Sequence, residues 1–100
     1  MKIWSINATT FYTGLIVSVR GTYTKQSAYK IFAERAFEIY KRKVEQDFER
    51  LSKYDLRLCI TESEPGQDGI VRPIRTTFRD FRLIDGKVTM IKEHIQENNK

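Results

Sequence analysis

The sequence predicts an α+β fold, an antiparallel sheet in the order ββαββ with one long amphipathic helix packed on one face. Two apolar runs of strand period come first, a long stretch of helical period follows, and strand alternation returns around an Asp-Gly dipeptide. With 100 residues, 40% of them hydrophobic and 12% aromatic, the chain reads as a single domain over residues 1–100 that needs no disulfide or metal staple.

In residues 2–10, Trp4, Ile6 and Ala8 alternate with Ser5, Asn7 and Thr9, so one set faces a core and the other faces water. Residues 15–23 set Leu15, Val17, Val19 and Tyr23 against Ile16, Ser18, Arg20 and Thr22. Gly14 marks the connecting loop, and Gly21 suggests a bulge. Residues 24–54 repeat apolar side chains at steps of three and four, from Tyr29 and Phe32 through Tyr40 and Val44 to Phe48 and Leu51. Glu34, Glu38, Arg42 and Glu45 lie on the opposite side. Thr24 is placed to cap the helix start. About 28 helical residues span on the order of 42 Å, whereas a compact chain of this size has a radius of gyration near about 13 Å. The helix is therefore expected to overhang its sheet and to offer Phe48 and Leu51 to a homodimer mate or another partner. A kinked helix or a long curled sheet would cover them instead.

Beyond the helix, residues 55–62 turn Leu56, Leu58 and Ile60 inward and Arg57, Cys59 and Thr61 outward, and residues 63–69 read as a polar loop. Asp85-Gly86 suits a type I′ hairpin, which sets Leu83 opposite Val88 and Phe81 opposite Met90. The tail from Met90 reads either as continued strand or as a short C-terminal helix.

Charge points to function. No Asp or Glu precedes Glu34, and the formal net charge is +5. The outward half of the alternation gathers Arg20, Arg57, Arg82 and Lys87 with many hydroxyls and no carboxylate. Such a surface suits phosphate oxygens. Arg72, Arg75 and Arg79 extend it as an arginine-rich loop, and together these residues form the expected binding site for nucleic acid or a nucleoprotein. The alternative is a protein-interaction module, an inhibitor or assembly factor, working through the long helix, a sheet edge or the basic surface against an acidic protein. Phe11 is the one obvious outward aromatic, a shortage that tells against single-strand binding.

Catalysis finds little footing. Cys59 and His94 are the lone cysteine and histidine, too few for structural zinc and not placed together by any motif. Glu62, Glu64 and Asp68 lack the spacing of a calcium loop. Neither a phosphate loop nor a nucleophile elbow is present. The expectation is a non-enzymatic protein without cofactor or metal. One cysteine and the lack of an apolar span or signal-peptide pattern read as cytoplasmic.

Overall fold

The computed structural model describes residues 2–12, 15–23 and 27–97, with the side chains at 11–12, 15–20, 22–23 and 27–28 outside the description. In chain order the elements are β1 (Ile3–Tyr12), β2 (Leu15–Tyr23), α1 (Ser27–Gln46), α2 (Phe48–Leu51), β3 (Leu56–Pro65), β4 (Val71–Ile84) and β5 (Lys87–Glu97). The strands form one five-stranded antiparallel sheet in the order β2-β1-β3-β4-β5. The α+β class holds, but the order ββαββ does not, since three strands follow the helical segment. Residues 72–80, expected as an arginine-rich loop, belong to β4, and the tail from Met90 is strand rather than helix. Gly14 and Thr24, assigned to a loop and a helix cap, lie outside the described residues.

Alternation drives the core. Ile6 and Ala8 of β1, Leu56, Leu58 and Ile60 of β3, and Phe81 and Leu83 of β4 turn to one side, where Phe32, Ala33, Ala36, Tyr40 and Val44 of α1 meet them. The Phe37 and Phe81 rings lie 4.7 Å apart and tilted by 57°. Tyr40 is fully enclosed, so its hydroxyl needs a partner; it donates to the Tyr54 carbonyl at 2.6 Å.

The continuous helix expected over residues 24–54 breaks at Asp47, which has φ −145° and ψ 66°. Its N–H is shared between the Lys43 and Val44 carbonyls at 3.3 and 3.2 Å. The single turn of α2 then folds Leu51 into the core at 9% exposure and leaves Phe48 58% exposed. The 20 residues of α1 span on the order of 30 Å, and the 14 residues of β4 about 46 Å. The molecule measures 50 × 24 × 22 Å, so the sheet outruns the helix, the reverse of the expected overhang.

The predicted hairpin is in place. Leu83 faces Val88 and Phe81 faces Met90 across a turn in which Asp85 and Gly86 have φ of 50° and 80°, as type I′ requires. Gly21 sits opposite Ile6 in unbroken register and marks no bulge. The irregularities fall instead between Glu62 and Ser63 of β3 and between Asp80 and Phe81 of β4. The first admits Pro73 within a strand, since a bulge tolerates the missing N–H.

Beyond the start of α1, ion pairs close the helix side of the sheet. Glu62, 4% exposed, binds Lys2 Nζ at 2.6 Å and Arg75 Nη1 at 3.1 Å, and Arg75 Nε reaches Glu97 at 2.9 Å.

Candidate nucleic-acid interface

The other face of the sheet carries no helix among the described residues. Because β3, β4 and β5 are in antiparallel register, two rows of side chains cross it side by side. One row is Cys59, Phe78 and His94; the other is Arg57, Asp80 and Lys92. The Phe78 and His94 rings stack with centroids 6.1 Å apart and planes inclined by 22°. The Arg57 guanidinium stands 5.3 Å from the Phe78 centroid. It donates to both Asp80 carboxylate oxygens, from Nε at 2.8 Å and from Nη2 at 3.1 Å. These bonds hold the Asp80 carboxyl below the usual carboxylate range, with Lys92 adding to the effect. Between the rows lies an open depression of about 290 Å³ lined by Arg57, Phe78, Asp80, Lys92 and His94.

The arginines expected to grip phosphate divide between the two faces, and each described one has an acidic partner. Arg57 and Arg82 lie on the open face, Arg57 with Asp80 and Arg82 with Asp55 at 2.8 Å. Arg75 and Arg79 lie on the helix side. Arg79 binds Glu93 at 2.7 Å and the Tyr29 hydroxyl at 3.0 Å. Arg72 is held by Asp68 at 2.7 and 3.1 Å beside the turn that leads into β4. Steps of three, four and three therefore do not align a cationic stripe, because the backbone is extended and its faces alternate with period two. The open face is also not free of carboxylate, since Asp55 and Asp80 both reach it.

Lys87 is exposed, paired in register with Ile84, and makes no ion pair among the described residues. Arg20 stands opposite Asn7 in the β1–β2 register, and its side chain, like that of Phe11, is outside the description. Leu51 belongs to the core, which leaves Phe48 as the exposed member of the expected partner surface. Cys59 and His94 share a row with Phe78 between them, so thiol and imidazole do not meet. Burial pushes the Cys59 thiol up, against some opposition from Arg57, which disfavours the thiolate a nucleophile needs. No metal-binding group of three acidic, histidine or cysteine side chains occurs among the described residues.

Phe78, Asp80, Lys92 and His94 are the site residues that sequence reasoning missed. Lys92 and His94 reach this face only through the register shift beside Asp80 and Phe81, which alternation from Val88 and Met90 does not show. The signal for Phe78 and Asp80 is the strand alternation of Phe81 and Leu83 carried backward, which turns them outward with Arg82. Reading residues 72–80 as loop hid it. Comparison of the chain with protein-family models, curated proteins and solved structures returned no match.

Proposed function

We infer that the protein is a non-enzymatic accessory protein that binds nucleic acid through the open face of its sheet. The observation that carries this reading is the Phe78–His94 ring pair, half-buried at Phe78 and exposed at His94, set beside Arg57 and Lys92 on a face that carries no helix among the described residues. Aromatic rings beside cations match the two surfaces nucleic acid offers, base faces and phosphates. Lys92 and Lys87 make no ion pair among the described residues and supply the phosphate contacts, while Arg57 is steadied by Asp80. Fluorescence anisotropy with labelled oligonucleotides at low salt tests the reading. Binding in the micromolar range is expected, weakened about tenfold or more when Lys87 and Lys92 are both changed to Glu. Failure of DNA and RNA alike to bind at tens of micromolar removes it.

A protein-binding reading is supported by a different surface. β5 is an edge strand of the sheet and exposes Met90, Ile91 and Ile95. Met90 also borders a groove whose apolar floor is Ala33, Phe37 and Phe81. An exposed edge strand with apolar side chains invites another strand. Loss of a protein partner or of self-association in Met90→Glu, with oligonucleotide binding intact, separates this reading from the first.

A further inference from the structure

The depression between the two rows has unlike walls. Phe78 and His94 form one and present ring surface; Asp80 and Lys92, in register with each other, form the other and present a carboxylate and an ammonium. Arg57 already stands over the Phe78 ring, so the ring most open to a ligand is His94, which is exposed and backed by Phe78. Its volume of about 290 Å³ sits at the lower end of the ~300–1,000 Å³ of small-ligand clefts. A planar heterocycle laid there gains stacking on one side and hydrogen-bond partners along its edge.

Duplex nucleic acid hides its base faces and meets a protein surface chiefly through phosphates. This face is poorly furnished for that, because Arg57 and Arg82 are committed to Asp80 and Asp55. Ring surface next to Lys92 and Lys87, which make no ion pair among the described residues, is of use only to a strand whose bases are unpaired. The charge is complementary as well, since Lys92 lies two residues from His94 along β5, Lys87 stands farther along the same strand at the hairpin end, and the chain carries a formal +5.

We propose that the open face binds single-stranded nucleic acid, with one unpaired base seated between the Phe78–His94 rings and the Asp80–Lys92 pair, a neighbouring phosphate on Lys92 and a phosphate farther along the strand on Lys87. This rests on the nucleic-acid reading above and narrows it to one form of the polymer. The experiment titrates the whole protein into labelled oligothymidylate, oligouridylate and a duplex of equal length at low salt, followed by anisotropy. Single strands are expected to bind about tenfold or more tighter than duplex. His94→Ala and Phe78→Ala are each expected to weaken single-strand binding about five- to hundredfold, the range set by the loss of one stacked base. His94→Phe, which keeps the ring, is expected to retain it.

His94 is exposed on an edge strand, so its variants remain informative even if Phe78→Ala fails to fold, which far-ultraviolet circular dichroism reports. Comparison of the thymidine and uridine oligomers tells whether DNA or RNA is the better source of the base; either supports the proposal. Equal or tighter duplex binding overturns it. So does unchanged single-strand binding in both ring variants while the Lys87→Glu, Lys92→Glu double variant loses affinity; in both cases the broader nucleic-acid reading survives. No binding by any of the three probes overturns both.

Discussion

Arg57 and Asp80 face each other across β3 and β4 and hold each other through two hydrogen bonds, with Asp80 13% and Arg57 49% exposed at the side chain. The folded Asp80 carboxyl titrates below its unfolded value, first because of the hydrogen bonds from Arg57. A depressed carboxylate stabilises the fold above the unfolded pKa of about 3.9, and that contribution is lost as pH falls through the lower folded value. Asp80→Asn is therefore expected to lower stability at neutral pH by about 1 kcal/mol, a figure kept small because water screens the half-exposed Arg57. The gap between the two proteins should close below about pH 4. Urea unfolding at a series of pH values checks this, and a gap that widens in acid contradicts it. Cys59, two residues from Arg57 in β3, has the opposite shift because burial outweighs the nearby cation. Its alkylation by iodoacetamide at neutral pH is expected to be slower than that of a free thiol, with an inflection above the ordinary thiol value near about 8.5. Reaction as fast as that of free cysteine would show a thiolate that the structure does not support.

The elements differ in how openly the sequence declares them. β1, α1 and the Asp85-Gly86 hairpin are legible because their periods are clean and their inward residues are consistently apolar. β4 is hidden because Pro73, Arg72, Arg75 and Arg79 obscure its period of two. The structure supplies what those residues need: a bulge beside Pro73 and carboxylates of Glu62, Glu93 and Glu97 on neighbouring strands. Cross-strand pairs of this kind contribute roughly 0.2–1 kcal/mol each and help to fix register. The break at Asp47 is equally invisible to a periodicity argument, because the apolar spacing runs on through Phe48 and Leu51. Leu51→Ala is expected to cost about 2–4 kcal/mol, as for a core leucine. Phe48→Asp should change stability by about 0.5 kcal/mol or less, as at an exposed position. Chemical denaturation of the two variants checks the contrast, and equal effects would mean that α2 packs differently. At the hairpin, a Cβ on Gly86 would meet nothing within 4 Å, yet its φ of +80° is one that side chains resist. Gly86→Ala is expected to cost about 1–2 kcal/mol through backbone conformation alone.

Across the whole molecule, charge is arranged differently from its appearance along the chain. The acid-free opening segment suggests an uncompensated basic surface, but folding brings Asp55 from the turn before β3, Asp80 of β4, and Glu93 and Glu97 of β5 to the arginines of β3 and β4. Sequence could show which residues carry charge; the pairing depended on a register that places Arg79 beside Glu93 and Arg75 beside both Glu62 and Glu97. On the open face, Lys87 and Lys92 are then the cations without an ion pair among the described residues that can release counterions from a nucleic-acid strand. For single strands the slope of log affinity against log salt is about −0.7 per neutralised phosphate, so seven independent cationic contacts would give about −5. Lys87 and Lys92, with at most one further contact, give about −1.5 to −2 on the same rule. A titration with oligothymidylate from low to physiological salt is expected to show the shallow slope. It should fall further in Lys92→Ala, while the helix-side variant Arg75→Ala leaves it unchanged, because Arg75 is occupied by Glu62 and Glu97 away from the open face. A slope near −5 would mean that the arginines leave their carboxylates on binding, and the open face would then be a phosphate grip rather than a stacking surface.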